Sequence, residues 1–537
     1  MAHRSSRIPR PRSLAGVIVF LTVLALAPWQ GATAMFRGTP DEAVPFPKDL
    51  GWLNVERPLS LKDLRGKVVV LDFWTYGCIN CVHVMAELER LKAKYGNRLA
   101  IVAVHSPKFE NEKNLETLRK IVLRYDRQSP VVQDAERKLW QRYGVWAWPT
   151  LIVLSPDSKP VARYVGEGHY EELNRLAGRL LRQHAEIVDP SPLPMALEKE
   201  ALAKQLLAFP SKIAVNGERV AIADTLHHRV ILASSDGAIE AIYGGEEGFR
   251  DGAGDHARFR FPRGLAFADD RLYVADTGNH AVRRIDLETG RVETAAGTGQ
   301  KARPSPGAHD PEETGIASPW GLLYEAPDLY IAMAGSHQIW RLDTAAGRLQ
   351  HVAGSGGEGL RGGAPDRATF AQPSGLARIG DRLYVADPEG SAVRSIDLAG
   401  DRVDTLIGTG LFTFGDRDGA FSQARLQHVL GITALDEQTL LIADTYNHRI
   451  KRLDLQSARV KTIAGTGRPG SGTKALNEPG GIAAGEGLVL VADTNNHRIL
   501  TLEPATGELA TWTLQHSGEA GAATAEGTPA AGSTDTN

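Results

Sequence analysis

The sequence predicts an α/β domain followed by an all-β propeller, and three observations carry that reading. A Cys-x-x-Cys sits where an apolar strand gives way to a helix, a proline-rich stretch follows the α/β segment, and the remainder repeats itself about every fifty residues.

The first element is a leader. Arg4, Arg7, Arg10 and Arg12 precede an apolar run from Leu14 to Ala27, and Ala32-Thr33-Ala34 stands ahead of Met35. Basic, apolar and small residues in that order make a secretory signal peptide over 1–34, cut after Ala34. The apolar run is short for a transmembrane helix, so no membrane contact is expected apart from targeting. No cysteine borders the cleavage position, which excludes a lipoprotein. A periplasmic or secreted location follows, where disulfides persist; translation from Met35 would instead leave the same two domains in the cytoplasm. Lys and Arg total 61 against 64 Asp and Glu, for a net charge of −3, and no basic block occurs in the mature chain. That balance excludes a nucleic-acid partner.

The α/β segment opens with Lys67-Val68-Val69-Val70-Leu71-Asp72-Phe73-Trp74, the continuous apolar run of a strand buried on both faces. Thr75-Tyr76-Gly77 then leads to Cys78-Ile79-Asn80-Cys81, which holds the 2 cysteines of the chain. A helix starting at Cys78 brings Cys81 round one turn later, within disulfide reach. It also places Cys78 where unpaired backbone N–H groups and the helix dipole favour a thiolate. Val82 to Tyr95 is helical in period through Val84, Leu88 and Leu91, and stops at Gly96-Asn97. Leu99 to Val104 reads as a strand, Asn111 to Asp126 and Glu136 to Tyr143 as helices, and Trp148 to Leu154 as a strand. A further strand and a helix ending near His184 complete an α/β order.

Other chemistries of paired cysteines fit poorly. A structural zinc site needs four ligands, and haem attachment needs histidine directly after the second cysteine, where Val82 stands and His83 comes one place late. His83 and Glu87 read as ordinary residues of the first helical turns. No metal or other cofactor is called for.

Across roughly residues 45–186 the sequence resembles the thioredoxin-like superfamily, and more closely its periplasmic-type thiol–disulfide members. The matching positions are Asp72-Phe73-Trp74, Cys78 and Cys81, and Pro149-Thr150 at the start of a strand. The resemblance implies Cys78 as attacking thiolate, Cys81 as resolving cysteine, and Pro149 as a cis-proline facing the disulfide and shaping the substrate groove. It implies Asp72 as a buried acid able to take the proton from Cys81. Ile79-Asn80 stands where thioredoxin has Gly-Pro, which leaves the direction of electron flow open.

Residues 187–204 form a linker, and its Val188-Asp189-Pro190-Ser191-Pro192-Leu193-Pro194 run is stiff enough to hold two domains apart. Over 205–515 one motif returns: Ala223-Asp224-Thr225-Leu226-His227-His228-Arg229-Val230, Ala275-Asp276-Thr277-Gly278-Asn279-His280-Ala281-Val282, then copies at Ala443 to Ile450 and at Ala492 to Ile499. Degenerate copies start at Ala332 and Ala386, giving six units. Each begins near a Pro-x-Gly-apolar signal such as Pro262-Arg263-Gly264-Leu265, and four strands per unit make a propeller blade. The signature resembles the NHL repeat family, implying a six-bladed propeller. Recurrent Asp, Asn and His read as turn chemistry, because an active site has no reason to be copied in every blade. His309, Trp320, Met333 and His337 break the pattern in the third unit. Residues 516–537 are Gly, Ala, Thr and Ser-rich, with almost nothing to bury, and are expected to be disordered.

The order of domains resembles the family of NHL-repeat-containing protein 2 and its bacterial relatives. That implies a thiol-reactive domain tethered to a protein-binding platform, with a client protein bearing a disulfide or thiols as partner. The alternative is a non-catalytic binding scaffold with an idle thioredoxin-like domain; a propeller enzyme would require convergent metal ligands.

Overall fold

A computed structural model describes residues 40–201, 205–485 and 487–515; the leader assigned to 1–34 and the tail assigned to 516–537 lie outside the described residues. Among the described residues no helix is long and apolar enough to cross a membrane.

The first domain is a six-stranded mixed sheet. Its strands are β1 (Gly51–Leu53), β2 (Val68–Trp74), β3 (Leu99–His105), β4 (Val131–Gln133), β5 (Thr150–Leu154) and β6 (Pro160–Val165), ordered β1-β4-β3-β2-β5-β6. β2 lies at the centre, parallel to β3 and antiparallel to β5. The helices are α1 (Leu61–Leu64), α2 (Ile79–Tyr95), α3 (Leu115–Arg124), α4 (Lys138–Arg142) and α5 (Tyr170–Gln183). Alternate residues of β2 serve opposite cores: Val69, Leu71 and Phe73 pack with Trp140 and Tyr143, whereas Val68 and Val70 pack with Leu88 and Leu91 of α2 and Leu176 and Leu180 of α5. Burial on both faces explains why the strand reads as an unbroken apolar run.

The helix expected from Asn111 to Asp126 is divided. Asn111–Lys113 forms a single tight turn, and Asn114 then caps α3 by accepting from the Glu116 and Thr117 N–H groups at 2.8 and 3.1 Å. An asparagine side chain competing for backbone donors restarts the helix there. The proline-rich segment does not hold the domains apart. It is bound along the first domain: the buried Lys67 ammonium donates to the carbonyls of Asp189 at 2.8 Å and Ser191 at 2.5 Å, and the Glu56 N–H to that of Pro194 at 3.1 Å.

Six antiparallel sheets follow, each built from one contiguous stretch of chain, three of them with a short fifth strand. Their innermost strands start at Pro210, Pro262, Pro319, Gly375, Gly431 and Gly481 and pack side by side into a closed ring. The repeated motif stitches that ring. The aspartate is buried and accepts from the loop entering its own blade, as with Asp276 Oδ1 from Arg260 N at 2.7 Å and Asp444 Oδ1 from Gln427 N at 2.7 Å. The threonine donates to the next blade: Thr225 to Pro262 O at 2.8 Å, Thr277 to Pro319 O at 2.6 Å, Thr445 to Pro479 O at 2.8 Å and Thr494 round to Pro210 O at 2.8 Å. Histidine does likewise, accepting at Nδ1 from the next blade's N–H, as His280 does from Ser318 at 3.1 Å and His497 from Phe209 at 3.1 Å. In the third blade Met333 and Trp340 fill the places that Asp276 and Arg283 hold in the second, so an apolar contact replaces an ion pair.

Candidate active site

Cys78 is the N-cap of α2, and its Sγ accepts from the Cys81 N–H at 3.3 Å. The sequence places it there because β2 ends at Trp74 and Thr75-Tyr76-Gly77 turns the chain into the helix. Both cysteines are free thiols; Cys78 is 7% exposed and Cys81 is fully enclosed. Burial pushes the Cys81 thiol well up, and the neighbouring Cys78 and the Asp72 carboxylate push the same way. Asp72 is buried beneath the pair on β2. Its Oδ2 meets Arg127 Nη2 at 2.5 Å while Oδ1 has no partner. Burial raises the Asp72 carboxyl and the Arg127 charge partly offsets this. Arg127 in turn stacks 4.7 Å over the Trp74 ring. The Trp148–Pro149 peptide is cis, and Trp148 packs against the cluster that contains both cysteines.

That cluster also contains Tyr446 and Phe414, which belong to the propeller. The face of the α/β domain carrying the dithiol is seated on the ring, and one loop position that recurs in the blades supplies several of the contacts. That position lies one to three residues before the innermost strand, at Phe209, Phe261, Ser318, Gln372, His428 and Glu478, all with positive φ between 46° and 67°. Ser318 Oγ lies 2.8 Å from His83 Nε2. Gln372 Oε1 accepts from the Ile79 N–H at 2.7 Å. The His428 ring is 5.3 Å from that of Phe109. Glu478 accepts from Tyr76 OH at 3.0 Å, from Asn111 at 2.7 Å and from Arg124 at 2.6 Å. Lys108 and Glu389 form a further buried pair across the junction. Burial pushes the Glu389 carboxyl up, but the Lys108 charge and a contact from His428 outweigh it and hold it at about 2. A Cβ on Gly77, the residue before Cys78, would lie 2.5 Å from Glu389 Oε1, so any larger residue there must displace the Glu389 side chain.

Of the sequence-predicted residues, Cys78, Cys81 and Asp72 come together here with the cis Pro149 peptide. His83 is more than an ordinary helix residue, since Glu167 at 2.6 Å and Ser318 hold it between the domains. The irregular third-unit residues do not share one surface: Met333 and His337 are buried, Trp320 lies at the axis, and His309 packs beside Trp340. Gln372, His428 and Glu478 were missed. Their signal is that the position three residues ahead of Gly375, Gly431 and Gly481 changes from blade to blade while its surroundings repeat.

Residues 66–159 match the family profile described as Thioredoxin-like, and 259–285 and 476–502 match NHL repeat. NHL repeat-containing protein 2 of Homo sapiens is 40% identical over 492 residues, spanning 83% of this chain and 68% of that protein. The chain belongs to the NHL repeat-containing protein 2 family. Protein SUPPRESSOR OF QUENCHING 1, chloroplastic, of Arabidopsis thaliana is 41% identical over 478 residues, 82% of this chain but 44% of the plant protein. This member of the NHL repeat-containing protein 2 family thus spans less than half the length of that relative. A shorter likeness, 31% over 118 residues, covers 22% of the chain and 65% of thiol-disulfide oxidoreductase ResA of Bacillus cereus.

Proposed function

We propose that the chain is a thiol–disulfide oxidoreductase acting on a client protein held at the propeller. The observation that carries this is Cys78 capping α2 with Cys81 one turn on, above a buried acid. Cys78 as thiolate attacks one sulfur of a client disulfide; that S–S bond breaks, a mixed disulfide forms and a client thiolate leaves. Cys81, its proton passed to Asp72, attacks Cys78 Sγ and releases the second client thiol. The client gains two electrons and the dithiol becomes a disulfide, which an external dithiol reduces; the reverse sequence oxidises a client. The propeller raises the local concentration of client near Cys78. The leader supports a site of action in the periplasm or beyond.

A scaffold role with an idle dithiol is favoured by one observation, the near-complete cover over Cys78. Alkylation across a series of redox buffers, with Cys78→Ser as control, separates the two readings. A reversible two-electron transition supports exchange, and its midpoint gives the direction; thiols that react only after unfolding support the scaffold.

A further inference from the structure

At the axis of the propeller, five blades place glycine at the same point of the innermost strand: Gly264, Gly321, Gly375, Gly431 and Gly481. A Cβ on Gly264 would stand 2.6 Å from the Trp320 carbonyl oxygen, and one on Gly481 2.5 Å from that of Ser211. The ring is therefore packed backbone against backbone. Blade 1 departs from this with Lys212, whose side chain is nine-tenths buried and donates to the Leu430 carbonyl at the entry to the fifth blade.

One place earlier in the pattern, the second blade carries Arg263. It is 5% exposed, lies 4.0 Å over the Trp320 ring, and its Nε has no hydrogen-bond partner. Among the described residues neither Lys212 nor Arg263 has a carboxylate partner; the group nearest in effect to Arg263 is the Tyr125 hydroxyl, with Arg124 opposing it, and the charge acting on Lys212 is that of Arg263. The other buried cations of the propeller are neutralised: Arg283 by Asp276 at 2.9 Å, Arg394 by Asp387 at 3.3 Å and Lys451 by Asp444 at 3.3 Å. A buried cation without a counter-charge costs stability unless something else supplies the negative charge.

The space to supply it exists. Lys212 lines a channel cavity of about 390 Å³, and Arg263 and Trp320 line a second cavity of about 850 Å³ between the domains, walled also by Met85, Tyr125, Leu193 and Phe261. We propose that Arg263 is the oxyanion site of the larger cavity, taking the carboxylate or phosphate group of a small organic acid whose apolar body lies against Met85 and Leu193, with Lys212 adding positive potential from the adjoining channel. Burial and the Arg263 charge together push the Lys212 ammonium down to about 7, the strain that a bound anion relieves.

Calorimetric titration of the full chain with phenyl phosphate, benzoate and inorganic phosphate tests the site. Saturable one-to-one binding of phenyl phosphate or benzoate is expected, with inorganic phosphate weaker; whichever aromatic acid binds tighter assigns the headgroup. Arg263→Gln should weaken binding by about tenfold to a hundredfold and Lys212→Met by less, while the melting temperature holds or rises. Lys212→Gly, which restores the glycine of the repeat, serves if the methionine variant misfolds. Absence of binding by all three probes, or affinities unchanged in Arg263→Gln, overturns the proposal.

Discussion

The backbone N–H of Ile79 donates to the side-chain oxygen of Gln372, 2.7 Å away and 293 residues along the chain. A first-turn N–H of α2, one of the donors that would otherwise face the dithiol's surroundings, is thereby satisfied by the propeller.

Gln372→Ala should loosen the seating of the two domains, because the Ile79 donor is left buried without a partner at a cost of about 1–3 kcal/mol. Cys78 in the native protein should then react with a maleimide about tenfold faster. An unchanged rate would mean that reagents reach Cys78 without the domains parting.

Glu478→Gln removes the charge facing the buried Arg124 guanidinium. Leaving that cation unpaired is expected to cost about 3–5 kcal/mol, read as a lower melting temperature of the full chain. Ser318→Ala, which removes only a hydroxyl beside His83, should cost far less. Equal losses would show that the ion pair carries no special weight in the junction.

Asp72→Asn tests proton transfer in the second chemical step. With no base beneath Cys81, whose thiol burial already pushes up, release of the client should slow by about a hundredfold. The Cys78 mixed disulfide should accumulate in acid-quenched samples analysed by mass spectrometry. Client release at the parent rate would remove Asp72 from the mechanism.

The pH dependence of stability has a defined sign at Glu112. Burial pushes its carboxyl from 4.5 up to about 7, although Thr75 donates to it at 2.5 Å. Between those values the folded chain holds a proton that the unfolded chain has lost. Stability therefore falls as pH rises through that window, and the deficit stays constant above it. Glu112→Gln, neutral throughout, should gain on the parent protein between pH 5 and pH 8 in denaturant titrations. A gap that does not widen would place the Glu112 carboxyl in its ordinary range. Asp387, also pushed up to about 7 by burial, leaves the variant with a residual slope of the same sign.

Much of this was legible in the sequence because the information is local. β2 is apolar throughout because both its faces are buried, and the blades repeat their Asp, Thr and His because each turn needs the same bonds to its own blade and the next. Three-residue strands such as β1 and β4 escaped, being too short to show a period. The junction escaped for a different reason: Tyr76 and Glu478 are 402 residues apart, and a hydrogen bond across that separation leaves no spacing to read. The proline-rich stretch was misjudged because stiffness does not determine direction; the Lys67 ammonium, buried and in need of carbonyls, decides where it runs.

The bonds that join the sixth blade to the first are made by Thr494 and His497, the same atoms in the same roles as Thr277 and His280 between the second and third. Among the described residues each blade's named strands come from one contiguous stretch, with Gln515 alone bridging back to Ala238 of the first blade. The four units that keep both threonine and histidine therefore carry their own means of attachment, and a recombination event that duplicated one of them would leave its seams chemically intact. Blade number in this lineage is limited instead at the axis, where glycines in contact fix how many strands the circumference can hold.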